Sequence, residues 1–164
     1  GDLWRGTSMI LVLLGTNPYP FFRLMDMLPP LVARGEKLLV QSGNTPTHKY
    51  AFDCRPFMDH ATIVDLIQTA EIVITQGGYG SIRDCLHVGK VPVVVPRLIQ
   101  YQEAQDNQGE LVSALAEQEL VIPCFPDDSL VEKIEQARTS KAPQLPQSRI
   151  PELVRVQVSE WLRT

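Results

Sequence analysis

Three glycines and a serine in Gly77-Gly78-Tyr79-Gly80-Ser81, followed three residues later by Asp84, combine the groups needed to hold a phosphate and the hydroxyls beside it. They follow the apolar β-branched run Ile72-Val73-Ile74-Thr75-Gln76, so a buried strand is expected to pass into a helix at the glycines. At such a junction the glycines let an anion approach the backbone, the free N–H groups of the first turn donate to it, and the helix dipole favours its charge. Asp84, one turn further in, is placed to accept hydrogen bonds from the hydroxyls of whatever carries the phosphate. A plainer reading stands beside this one. The glycines alone make a tight turn, and Ser81-Ile82-Arg83-Asp84 also fits a capping box.

A second polar cluster, Gln102, Gln105, Asn107 and Gln108, reads either as a solvated helix face or as a sugar site, because amides both donate and accept. His48, His60 and His87 are scattered without metal-ligand spacing, and surface or helix-end positions are expected for them. Cys54, Cys85 and Cys124 are odd in number and lack a CxxC pair. They read as reduced thiols of a cytosolic protein without structural zinc.

The elements that must position these groups alternate between strand and helix. Met9–Leu14 is a continuous apolar run closed by Gly15-Thr16-Asn17-Pro18, the pattern of a strand buried on both faces. A helix interrupted near Pro29-Pro30 is expected over Phe21 to Leu31, then a strand over Lys37–Gln41. Tyr50–Cys54 reads as a short strand, Arg55-Pro56-Phe57 as a loop and His60–Ala70 as a helix. Beyond the glycines a helix is expected from about Ser81 to His87, stopped by Gly89, followed by a strand over Val91–Pro96. A further helix beginning near Ala104 carries Leu111, Leu115 and Leu120. A last strand over Leu120–Phe125 and a helix through Leu130, Val131, Ile134 and Ala137 complete the alternation.

The result is a Rossmann-like α/β domain with an open parallel sheet over residues 9–138. Ligands of such sheets bind beyond the carboxyl ends of the strands, where Gly15-Thr16, Gly43-Asn44, Gln76 to Ser81 and Arg97 to Gln108 would gather. Residues 139–151, with Pro143, Pro146 and Pro151, read as a connector. Residues 152–164 read as a helix with Val154, Val158, Trp161 and Leu162 on one face, either packed on the domain or offered to a partner. Residues 1–8 read as an expression remnant outside the fold.

At 164 residues the chain has room for one core but is too short for two nucleotide-type domains facing each other. A formal net charge of −4 argues against a nucleic-acid surface. Met9–Leu14 falls far short of the roughly 20 apolar residues of a membrane span, and no secretory signal is expected.

The Gly15-Thr16 turn, the Ile74-Thr75-Gln76-Gly77-Gly78-Tyr79-Gly80-Ser81 junction and Gly89-Lys90-Val91-Pro92-Val93-Val94-Val95-Pro96-Arg97, in this order, resemble the C-terminal nucleotide-sugar-binding domain of family 28 glycosyltransferases. The chain is most similar to the free-standing version, the catalytic-type subunit of split enzymes that make dolichol-linked glycans or bacterial exopolysaccharide repeat units. The resemblance implies one half of a GT-B fold. It implies a UDP-sugar bound by Gly15 and Thr16 facing sugar and diphosphate, and by Gly78, Tyr79, Gly80 and Ser81 at the phosphates, with Gln76 and Gly77 beside them in the substrate site and the Gln76 amide able to hydrogen-bond the donor. Asp84, five residues before Gly89, would hold the ribose, and the backbone at Phe57 the uracil. The amide-rich segment would contact the donor sugar, its register open between Asp106-Gln108 and Gln105-Asn107. The family more often has glutamate at Asp84, and close relatives have histidine at Gln76, so an acid–base role of that imidazole is not carried over.

What the resemblance implies is a cytoplasmic donor-binding subunit of an inverting hexosyltransferase, with no metal or cofactor and no catalytic residue identified. A membrane-anchored Rossmann-like partner would bind the lipid-linked acceptor and hold the subunit at the membrane. Two other classes remain: a non-catalytic nucleotide-binding or regulatory module, and a relative of nucleotide-sugar epimerases. Co-purification with a membrane-anchored Rossmann-like protein separates the first reading from both.

Overall fold

The computed structural model describes residues 8–139. The expectations for residues 1–7, for the connector and for the last helix lie outside the described residues. Six parallel strands form one sheet: β1 (Ile10–Leu13), β2 (Leu38–Gln41), β3 (Asp53–Arg55), β4 (Ile72–Gln76), β5 (Val93–Val95) and β6 (Ile122–Pro123). Their order is β3-β2-β1-β4-β5-β6. The chain therefore starts in the middle, builds outward to β3, and returns to pair β4 against the free side of β1. Leu13 lies opposite Thr75 across that central pair and opposite Gln41 across the other.

Every residue of β1, β2, β4 and β5 is buried, which is why these strands read as unbroken apolar runs instead of alternating ones. Successive side chains go to opposite faces. Ile10 and Val12 pack with residues of α1 (Phe22–Met25), α2 (Pro29–Ala33) and α6 (Leu130–Thr139). Leu11 and Leu13 pack with Leu66 and Ile67 of α3 (His60–Thr69) and Cys85 of α4 (Tyr79–His87). Val94 packs with Ile82 and Leu86 of α4 and with Leu111, Val112 and Leu115 of α5 (Gly109–Glu117). Three layers result, helix, sheet and helix.

The expected helix after β1 is two short ones, α2 carrying its prolines at the first two positions, where a missing N–H costs nothing. The helix expected from near Ala104 begins only at Gly109. Upstream of it, Ile99–Tyr101 form a single 3₁₀ turn that Gln102 closes in the left-handed region at φ 57°. Glu103, Asn107 and Gln108 then spend their side chains on backbone N–H groups of the same loop, a local competition that amides and carboxylates often win over helix.

Candidate functional site

In a sheet of this order the crevice lies where neighbouring strands send their connections in opposite directions, between the carboxyl ends of β1 and β4. A cleft of about 270 Å³ opens there, lined by Leu13, Gly15, Thr16, Gln41, Phe57, Met58, Ile63, Gln76, Gly80, Ser81 and Asp84. Of the residues expected from sequence, the structure brings Gly15, Thr16, Phe57, Gln76, Gly80, Ser81 and Asp84 together on its walls.

Beneath Gly15 sits Gln41, only 3% exposed. Its Oε1 accepts from Gly15 N at 2.9 Å, and its Nε2 donates to Gly15 O at 3.0 Å and to Pro56 O at 2.8 Å. One side chain thus fixes the turn after β1 and the loop leading to Phe57. Gly43 completes this floor at φ 58°, where an added Cβ would lie 2.3 Å from Gly15 O, so no larger residue fits without moving backbone.

On the β4 side a glutamine pair does the equivalent work. Gln108 Oε1 accepts from Gly77 N at 2.8 Å and from Arg97 N at 2.9 Å, so its amide can face only one way. Gln108 Nε2 then donates to Gln76 Oε1 at 2.7 Å. This fixes the second amide too: Gln76 Nε2 is turned toward Gly15 and Gly78, with an N–H to offer across the crevice. A Cβ at Gly78 would lie 2.3 Å from Gln76 Nε2, so a larger residue there would push this amide out of its place.

α4 starts at Gly78 without a side-chain cap and without an acidic residue in its first turn. Its leading N–H groups and its dipole are thereby directed at the cleft wall formed by Gly80 and Ser81. The Tyr79 ring packs instead with the cluster of Ile82 and Leu86. Asp84 is one turn further in, with His60 Nε2 at 3.0 Å and Arg83 Nη2 at 3.9 Å from its Oδ1. Its neighbour Cys85 faces the core, where burial, and then the Asp84 charge, push its thiol up to about 12. That thiol stays protonated near neutral pH and is no nucleophile.

Gln105, Asp106, Asn107 and Gln108 do not line this cleft. Gln105 and Asp106 are exposed, Asn107 Oδ1 accepts from Ile99 N at 2.7 Å, and Gln108 is the clamp just described. The segment is set by groups whose bonding the sequence did not reveal, although it placed them at this edge. Arg97, 1% exposed, donates through Nη1 to Tyr19 O and Glu103 O and through Nη2 to Leu14 O, each at 2.8 Å. Burial pushes its guanidinium down to about 10, opposed by Glu103, so it remains a cation. The Glu103 carboxylate faces Arg23 instead, which meets both of its oxygens at 3.0 Å. The signals were slight: Arg97 closes an apolar run, and Gln41 is the last polar letter of a strand.

The family model described as the glycosyltransferase family 28 C-terminal domain matches residues 9–158. No curated protein matches the sequence. Among solved structures, the chain is similar to the NMR solution structure of ALG13, at TM-score 0.58 and 16% identity, over 94% of this chain and 96% of that one. It is also similar to the glycosyltransferase SnogD from Streptomyces nogalater, at TM-score 0.52 and 14% identity, and to the glycotransferase of kitacinnamycin, at TM-score 0.57 and 15% identity. In both of these it spans 43% of the larger chain and 96% of its own length. At such identities the likeness is one of fold.

Proposed function

The chain belongs to the glycosyltransferase family 28 C-terminal domain family, and on that premise we propose that it binds the UDP-sugar donor of a two-component inverting hexosyltransferase. Carrying this reading is the cleft between β1 and β4, with a glycine turn on each side and the uncapped start of α4 on one wall. The diphosphate lies against Gly78, Gly80 and Ser81, where N–H groups and the helix dipole offset its charge as it departs. Gln76 donates across the crevice to a diphosphate or sugar oxygen, Asp84 accepts from the ribose, and the backbone at Phe57 meets the base. Thr16 faces the sugar. Gln105 and Asp106 supply exposed polar groups for the sugar, while Asn107 and Gln108 act by shaping their loop. The site needs no metal or other cofactor in this reading.

Transfer also needs a base that deprotonates the acceptor hydroxyl. The described residues form a single sheet, and no helix among them is long and apolar enough to cross a membrane. We assign the acceptor half, and attachment to the membrane carrying a lipid-linked acceptor in glycan or polysaccharide synthesis, to a second, membrane-anchored Rossmann-like polypeptide, as the resemblance to split enzymes of this family implies. The likeness to ALG13 extends over 96% of that chain.

Calorimetry with a panel of UDP-sugars on wild type and Asp84→Ala tests the site. One hydrogen bond to a charged group predicts an affinity about tenfold or more lower in the variant. Unchanged affinity removes Asp84 from the site. The isolated chain is expected to show little or no transfer to a lipid acceptor, and robust transfer by the purified protein alone would refute the split enzyme.

A further inference from the structure

His60 stands at the first position of α3, and sequence alone gave it no role. Asp59 before it caps the helix, its Oδ1 accepting from Thr62 N at 2.7 Å, and this fixes where the helix begins. The Thr62 hydroxyl and N–H together hold the Asp59 carboxyl below its ordinary range, so this carboxylate is committed to its own helix. Side chains lean toward the start of a helix, so a residue at its first position reaches out beyond the helix end. His60 accordingly crosses to α4, its Nε2 3.0 Å from Asp84 Oδ1, with its own side chain 68% exposed and that of Asp84 16% exposed. Arg83, stacked near the Tyr79 ring, reaches the same oxygen at 3.9 Å. Both side chains come closest to Asp84 at Oδ1.

We propose that His60 is a positioning residue for nucleoside recognition: by holding Asp84 Oδ1 it fixes the carboxylate's rotation and presents Oδ2 to the ribose hydroxyls. This rests on the reading of Asp84 as the ribose ligand. A short aspartate has little reach, and an unpinned carboxylate would have to be ordered by the ligand at an entropic cost. The same contact joins two walls of the cleft, because His60 follows Phe57 and Met58 on one side while Asp84 stands beside Ser81 on the other. Base and ribose are thereby read by one cross-braced surface.

The test is the ratio of dissociation constants for 2′-deoxy-UDP or 3′-deoxy-UDP to that for UDP, measured by calorimetry on the full chain. In Asp84→Asn and Asp84→Ala the preference for the ribonucleotide falls toward one. In His60→Ala it falls roughly threefold to fivefold, the worth of a partly exposed pair, while affinity for at least one deoxynucleotide is unchanged. His60→Gln, which keeps an N–H donor, restores it. A wild-type preference in His60→Ala, equal weakening of all three nucleotides, or no rescue by glutamine overturns the inference while leaving Asp84 in the site. A preference unaltered in both Asp84 variants overturns the ribose reading itself, and this inference with it.

Discussion

The two sides of the crevice use the same device to different ends. At the end of β1, Gln41 commits its amide to Gly15 and Pro56, and no N–H on that side chain is left for a ligand. At the end of β4, the clamp takes two glutamines, and the second keeps Nε2 turned toward the opening. A similar contrast holds between the two helices that border the cleft. α3 fills its own first turn with Asp59, whereas α4 starts at a glycine and leaves its N–H groups facing outward. One side spends its glutamine and its helix cap on holding the scaffold, and the other keeps an amide N–H and helix N–H groups turned toward the cleft.

Three substitutions break or sharpen that contrast. The largest effect is expected from Gln41→Leu, which strips the partners of Gly15 N, Gly15 O and Pro56 O and should cost about 2–4 kcal/mol in denaturant unfolding. Gln108→Leu should cost less, about 1–3 kcal/mol, because its site is only partly buried. Unlike an effect on scaffold alone, it should also lower UDP affinity several-fold under conditions where the variant is fully folded, since Gln76 loses the partner that orients it. If Gln108→Leu lost stability with no change in affinity, the two sides would be equivalent. The smallest effect is expected from Gly80→Ala. A Cβ there meets nothing within 4 Å, so the variant should gain about 0.5–1 kcal/mol from helix propensity. It should nonetheless bind UDP more weakly, because the methyl group occupies the approach to the first turn. A stabilised variant with undiminished affinity would take the diphosphate away from this wall.

Much of this molecule was legible in its sequence, and the boundary is physical. The buried parallel strands announced themselves because both faces are covered, and the glycines at Gly15 and Gly77-Gly78 marked where they end. Only their lengths shifted, by a residue or two at the ends. The stretch from Ala104 to Gln108 was misread as helical because local propensity cannot foresee Asn107 and Gln108 bonding to Ile99, Gly77 and Arg97. The bonding of Gln41 and Arg97 was hidden for a related reason: apart from Glu103, six residues beyond Arg97, the groups that their side chains bond lie 15 to 83 residues away in sequence, and no periodicity encodes such pairings. His60 looked like a surface histidine, and its exposure agrees, but its contact with Asp84 depends on how α3 and α4 are set side by side.

Arg97 also bears on the order in which the molecule can be assembled. Its guanidinium joins Leu14 and Tyr19, which follow the first strand, to Glu103, which follows the fifth. Contacts spanning some 80 residues cannot form until the intervening chain has collapsed into register, and closures of this kind come slowly. The loops that rim the cleft are therefore completed together and late. A chain whose fifth strand has not yet docked would hold the Gly15 turn through Gln41 but lack both the Gln108 bond to Gly77 and the brace that sets the two turns at the right separation, so nucleotide binding should report the finished fold.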